Sequence, residues 1–322
     1  SGATLTGISS GGVTASPGPT LPSPWELVKG YFVGPRADLQ GASLTGAGLG
    51  GTTLTSANLV DANLTDAILT DATLTSANFS GANLTGANLD GASADVAGFG
   101  SATLESASLH NAQLEYAYFT EAVLNYADFT GADLTNANLG GTTSASAPQF
   151  QYTNLTGANL TNANFANAAL VDVTLTDANV QGAQFGTAFF WPTYSGGLTG
   201  TPASLPSGDA IINGWLIAPF TQIVGANLSG QTMDNLALDY ANMTDAMVNN
   251  GAIVTDTALV GATLSGADFS TATFTGDNLE YAQVSDTTNF ASTTWSDTIC
   301  PDGTNSDADS RTCVNDLGQP PG

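Results

Sequence analysis

Residues 54–93 read LTSANLVDANLTDAILTDATLTSANFSGANLTGANLDGAS. Leu54, Leu59, Leu64, Leu69, Leu74, Phe79, Leu84 and Leu89 recur every five residues, and from Ala57 onward each has an alanine two positions before it. Neither regular element accommodates this period. On an α-helix five residues advance the side chain by about 500°, so the leucines drift by about 140° per repeat and form no stripe. On a straight strand an odd period sends alternate leucines to opposite faces. The chain must therefore turn once per repeat, holding the alanine and the leucine inward and the other three positions outward. Those three positions are mostly Asn, Asp, Thr, Ser and Gly, residues suited to turns and to solvent.

One repeat cannot hold itself together. Burying a Leu and an Ala yields about 2–3 kcal/mol, against about 1–2 kcal/mol of backbone entropy for each residue ordered. Stability must come from stacking, with backbone hydrogen bonds running between successive coils.

Ala62-Asn63-Leu64-Thr65-Asp66, Ala82-Asn83-Leu84-Thr85-Gly86 and Ala132-Asp133-Leu134-Thr135-Asn136 carry a resemblance to the pentapeptide-repeat family, whose motif is Ala, Asp or Asn, Leu or Phe, and two variable residues. The resemblance implies an all-β fold, a right-handed quadrilateral β-helix with four repeats per coil. Twenty residues per coil would place Leu39, Leu59, Phe79, Phe99, Phe119 and Leu139 in one internal column, with the three phenylalanines in a continuous stack.

Composition narrows the partners. Twenty-eight acids stand against Lys29, Arg36 and Arg311, for a net charge of −25. This balance excludes a nucleic-acid binder that relies on basic phosphate contacts and disfavours an anionic membrane surface. An acidic surface keeps a long solenoid soluble; it is also compatible with mimicry of DNA. There is no run of eighteen apolar residues, so no membrane-spanning segment is expected.

The beat is absent from residues 1–36, where a Gly/Ser/Pro-rich stretch leads into Trp25 to Pro35, read as a strand ended by a Gly-Pro turn in a β-rich cap. It enters at Ala37 and runs through the weak centre Ala94 to Leu139, slips by one residue before Phe150, where an outward loop is expected, and continues to Phe190. Residues 191–225 then repeat the cap. Gly214-Trp215-Leu216-Ile217-Ala218-Pro219 echoes Gly30-Tyr31-Phe32-Val33-Gly34-Pro35, and Ser195-Gly196-Gly197 echoes Ser10-Gly11-Gly12. A second coil block fills 226–296, with single-residue slips before Val254 and Phe290, and residues 297–322 form a tail. Whether the second cap breaks the solenoid is open; continuity is favoured because Phe189 and Phe190 need a partner surface. Bulky Trp295 at a centre position suggests the end of the hydrophobic column.

Both cysteines, Cys300 and Cys313, lie in the tail, and such a pair favours one disulfide over two free thiols. The tail also resembles those ending secreted actinobacterial pentapeptide-repeat proteins, which implies a secreted or cell-surface location. Asp302, Asn305, Asp307 and Asp309 offer oxygen ligands at a spacing used by calcium loops. However, Ser310 stands where the EF-hand turn has glycine and no bidentate glutamate follows. The alternative is a solvated polar loop.

Little else suggests chemistry. His110 is the only histidine and follows the centre Leu109, so a catalytic triad or histidine metal site is not expected. No catalytic residue or cofactor is identified. Tyr116, Tyr118 and Tyr126 form the most aromatic exposed region of the first coil block and are a candidate contact surface. The leading functional reading is a non-catalytic, secreted or cell-surface rod that presents its faces to a protein or surface partner. Two alternatives remain: a DNA-mimicking inhibitor of DNA gyrase, as some members of the family are, and a surface adhesin or glycan binder using Trp215, Tyr194 and the Tyr116 region.

Overall fold

The computed structural model describes residues 7–8, 10–14, 20–141, 143–308 and 311–314. The chain is a right-handed quadrilateral β-helix that divides into two compact units. One comprises Ser1–Phe189 with Thr199–Ser204, the other Phe190–Leu198 with Leu205–Gly322.

The first unit opens with an antiparallel hairpin of β1 (Glu26–Val28) and β2 (Tyr31–Val33). The sequence suggested one strand here. Lys29 (φ 51°) and Gly30 (φ 84°) divide it, because two consecutive positive-φ residues make the tight hairpin turn that matches strand twist. Gly30 is needed for closeness as well: a Cβ there would lie 3.0 Å from the Val13 nitrogen. Val13 N–H donates to the Gly30 carbonyl (3.1 Å) and Phe32 N–H to the Ser10 hydroxyl (2.7 Å).

From Ala37 the chain coils. Each repeat is a turn closed by one short-range bond, such as Ala57 N–H to the Leu54 carbonyl at 2.9 Å. Its third residue, Ser56, has φ 55°, as a type II turn requires. All other regular bonding goes to the coils above and below: Asn58 N–H donates to the Ala37 carbonyl (2.9 Å) and Leu59 N–H to that of Asn78 (2.7 Å). Parallel bridges therefore advance in steps of twenty, Asp38 to Asn58, Asn78, Gly98, Tyr118 and Asn138. Asparagine before the centre serves the turn too, since the Asn63 Oδ1 accepts from the Thr65 N–H and hydroxyl.

The interior column is continuous. Phe79, Phe99 and Phe119 stack with centroids 5.0 Å apart and planes within 5°, flanked by buried Leu59 and Leu139. After Leu139 the step lengthens: Val123 pairs with Gln149 and Asn138 with Asn164, so one coil has 26 residues, and the one-residue slip is a full repeat plus one. Gly141 N–H still bonds to Ala166 and the Ser146 carbonyl accepts from Glu121, with the loop between them. The column then resumes through Phe165 and Phe185, stacked at 4.8 Å. Further strands are β3 (Ala169–Thr174) and β4 (Phe189–Tyr194).

The second unit repeats the hairpin as β5 (Ala210–Ile212) and β6 (Trp215–Ile217), joined by Asn213 (φ 49°) and Gly214 (φ 79°). Leu198 N–H donates to the Gly214 carbonyl and Leu216 N–H to the Ser195 hydroxyl, both at 3.0 Å, the same bonds made by Val13 and Phe32. Its coils contain a four-stranded parallel sheet, β7 (Thr232–Asp234), β8 (Ile253–Thr255), β9 (Thr273–Thr275) and β10 (Thr294–Ser296). The inward residues of these strands are Met233, Val254, Phe274 and Trp295, all buried. Among the described residues Trp295 is the last ring of its own column, stacked on Phe274 at 4.8 Å. Five residues later Cys300 takes the next centre, aligned with Leu279 through the Leu279 N–H to Ile299 carbonyl bond (2.8 Å), and is fully buried.

One inward position is acidic. Asp277 occupies the place of the repeat's alanine and is 1% exposed, with Thr257 and Thr298 buried at the matching positions of adjacent coils. Thr257 and Thr275 N–H groups donate to its two oxygens at 2.8 and 2.7 Å. Burial outweighs these bonds and pushes its pKa from the ordinary 3.8 to about 7, with the Asp256 carboxylate adding to the rise.

Two outcomes follow from this packing. Phe99→Ala removes the middle ring of the stack and is expected to cost about 3–5 kcal/mol in denaturant unfolding. Because the folded pKa of Asp277 lies above the unfolded one, its contribution to stability is greatest below pH 3.8 and is lost as pH rises to about 7, a change of about 4 kcal/mol. Unfolding free energies measured from pH 4 to 8 are expected to fall along this window, and Asp277→Asn to flatten the slope; an unchanged slope refutes the assignment.

Candidate functional site

The third residue of each turn forms the corners of the square coil, and corner side chains stack along the solenoid at the coil spacing. The positive φ there suits Gly, Asn and Asp. Yet Tyr116, Tyr126, Tyr152, Tyr240 and Tyr281, five of the eight tyrosines, sit at corners with φ between 57° and 61°, as does Phe220. For a bulky residue that backbone costs about 1–2 kcal/mol. All five tyrosines are about half exposed, so burial does not offset the cost.

This geometry separates the tyrosines singled out in the first coil block. Each repeat makes one side of the square, so Tyr116 and Tyr126, ten residues apart, occupy diagonally opposite corners. Tyr118 lies on the face next to Tyr116, in line with Gly98 and Asn138. The three do not share one surface. Tyr126 instead stacks on Tyr152, with centroids 5.0 Å apart and planes within 9°. The sequence hid this pair because Tyr152 is 26 residues on; only the longer coil places it above Tyr126.

In the second unit the corner after Ala218 and Leu238 carries a longer row. Trp191 packs on Phe220 (centroids 3.7 Å) and Phe220 stacks on Tyr240 (5.2 Å, 9°). Gly261 follows at the next coil; a Cβ there would lie 2.6 Å from Tyr240 Cε1, so the Tyr240 ring leans over it. Tyr281 is the next corner residue. The charge of Glu280, and then its hydrogen bond with the Tyr281 hydroxyl, raise that hydroxyl's pKa. Trp215 lies elsewhere, its ring 3.2 Å from the position of a Gly196 Cβ, and is half-buried in the second hairpin; Tyr194 is 43% exposed.

In the tail Cys300 and Cys313 are disulfide-bonded and both buried. Asp302 Oδ1 accepts from the Thr304 N–H and hydroxyl, Asp307 Oδ1 from the Asp297 N–H, and Asn305 Oδ1 from the Asp307 N–H. Asp309 lies outside the described residues. Asn305 Nδ2 also donates to Asp297 Oδ1 at 3.0 Å, so Asn305, Asp307 and Asp297 are joined to one another. Among the described residues no group of three or more His, Cys, Asp or Glu side chains is arranged to hold a metal ion, and no helix is long and apolar enough to cross a membrane.

Of the groups with acid-base potential, His110 is exposed. Asp209, before β5, has a pKa raised from 3.8 to about 7 by burial. Beside the 140–147 loop a pocket of about 160 Å³ is lined by Ser144, Pro148, Phe150 and Val171 among others, below the usual size of a small-molecule site.

Comparison with known proteins bears on the fold. Among solved structures, the chain is similar to a pentapeptide repeat protein from the thylakoid lumen of Arabidopsis thaliana, at 31% identity over 30% of this chain and 63% of that one, with a TM-score of 0.28. The chain thus spans less than two thirds of that protein's length. HetL, a pentapeptide repeat protein involved in heterocyst differentiation regulation from the cyanobacterium Nostoc sp. strain PCC 7120, matches at 23% identity over 79% and 91% of the two chains, with a TM-score of 0.20. Full-length QnrB1, a plasmid-mediated fluoroquinolone resistance protein, matches at 17% identity over 70% and 99%, with a TM-score of 0.22. No curated protein matches the chain. The family model for pentapeptide repeats matches residues 36–71, 67–95, 102–141, 153–191 and 252–288, and the chain accordingly belongs to the pentapeptide repeat family.

Proposed function

We propose that this protein is a non-catalytic interaction protein of the cell exterior, presenting the corners and faces of its solenoid to a partner. The observation that carries this reading is the set of half-exposed tyrosines held at strained corners, where they weaken the fold yet offer contact area. The buried Cys300–Cys313 bond supports an oxidising, extracytoplasmic setting. The net charge of −25 favours one rival, a DNA mimic that occupies gyrase. The disulfide argues against it, because cytosolic thiols are kept reduced.

Fractionating the source cells and weighing the Cys300–Cys313 peptide without reductant tests the reading. An extracytoplasmic protein whose peptide is two hydrogens lighter than the dithiol is expected. A cytosolic protein with free thiols overturns the proposal, and inhibition of gyrase supercoiling would then establish the rival. Reduction should also loosen the last coil: closing a loop of this length contributes about 3 kcal/mol, so thermal melts with and without reductant should separate by several degrees.

A further inference from the structure

Two adjacent coils of the first unit carry strain that the fold does not require. Val96 (φ 59°) and Tyr116 (φ 58°) occupy the same corner one coil apart, because bridges in this stretch advance by twenty residues. A β-branched or bulky residue at positive φ is an outlier where Gly or Asn fits better, and such outliers gather at functional sites. Val96 is 47% and Tyr116 49% exposed. On the face that starts at this corner, Tyr118 is 52% exposed.

The rung beside Tyr118 is bare. Gly98 lies next to it across a parallel bridge, and Gly100 follows on the same face. Neither glycine has a positive φ. A Cβ would meet nothing closer than Asn78 Oδ1 at 3.6 Å for Gly98 and the Thr120 carbonyl at 3.8 Å for Gly100, so neither backbone nor space demands glycine. Coils nearby hold Asn58, Asn78 and Asn138 in the place of Gly98. No atom of Tyr118 comes within 4 Å of the Gly98 Cβ position, and among the described residues Tyr118 stacks on no other ring. Its ring thus has open space on the side of the bare rung.

Carboxylates stand at both ends of that rung. At the Val96 end Asp95 Oδ1 accepts from the Glu115 N–H at 3.0 Å, which sets two acids one above the other. At the far end the Ser101 hydroxyl donates to Glu121 Oε2 at 2.9 Å, drawing that carboxylate towards the bare coil. The chain has only Lys29, Arg36 and Arg311 as cations, and Arg36 is three coils from Val96. Carboxylates without a cation, around an exposed ring, suit a guanidinium. That group is planar, stacks on tyrosine and pairs with carboxylates. The net charge of −25 steers a basic partner to the surface.

We propose that the bare rung of Gly98 and Gly100, with Tyr118 beside it and Asp95, Glu115 and Glu121 at its ends, docks an arginine-bearing segment of a protein partner. This deepens the interaction reading above and rests on it.

The full chain is titrated by calorimetry with the acetylated and amidated peptide Gly-Arg-Gly-Arg-Gly-Arg-Gly, and with the same peptide carrying citrulline, which keeps the shape of arginine without its charge. The arginine peptide is expected to bind and the citrulline peptide not to. The double variant Gly98→Asn, Tyr118→Asn fills the rung and removes the ring with no change of charge, so a peptide held only by the acidic surface would bind it as tightly as the parent. Affinity is instead expected to fall about fivefold or more, and to be unchanged in Ile68→Asn on the opposite face. Asparagine already occupies this face at Asn78 and Asn138, so the double variant should melt at the temperature of the parent; the two single variants are measured as well, so that one poorly folded protein does not decide the result. No binding of the arginine peptide, or equal binding by parent and folded variants, overturns the site, and equal binding of the citrulline peptide overturns the assignment to arginine. An extracytoplasmic, disulfide-bonded protein that does not bind the arginine peptide overturns the docking site alone and leaves the broader reading standing.

Discussion

The interaction on which everything else depends is the backbone hydrogen bond between one coil and the next. A chain that turns every five residues closes only one bond within each repeat, as between Ala57 and Leu54; the remaining N–H and C=O groups reach the coils above and below. Every buried backbone polar group must find such a partner. The spacing between coils is thus a constraint on each side chain rather than a result of packing.

That constraint explains the interior. Rings at one centre meet rings at the same centre of the next coil, so Phe79, Phe99 and Phe119 stack nearly in parallel, and small alanines fit where the chain bends inward. It also explains how the solenoid absorbs irregularity. Coils of 20, 21 and 26 residues coexist, as in Asp38 with Asn58, Met233 with Val254 and Val123 with Gln149, because extra residues are extruded at a turn while the bridges keep their order. Asp277 is the costly exception: a carboxylate at an alanine position is retained with two N–H donors and a raised pKa.

The corners are where fold and function compete. Positive φ and exposure favour Gly, Asn and Asp, and most corners hold such residues. Where they hold tyrosine, the protein accepts strain to display a ring, and the fixed coil spacing turns isolated rings into rows. The hairpins Glu26–Val33 and Ala210–Ile217 place the same kind of turn, Lys29-Gly30 and Asn213-Gly214, before each coil block.

The sequence by itself determined the repeat and the inward positions, because a five-residue period leaves only one way to keep leucine and alanine inside; the four-sided coil, and with it the Phe79–Phe99–Phe119 column, followed from the resemblance to the pentapeptide-repeat family. The sequence also marked Cys300 and Cys313 as a pair. Which side chains meet where a coil departs from twenty residues was decided only by the tertiary structure. Tyr126 meets Tyr152 because six residues are extruded between Leu139 and Gln149. Trp191 meets Phe220 because a hairpin is inserted between them, and Tyr116 parts from Tyr126 because ten residues make half a square. Cys300 enters the core because the beat outlasts Trp295. Contacts along a solenoid depend on the length of each coil, and a local pattern does not specify how many residues a turn extrudes before the backbone returns to its bonds.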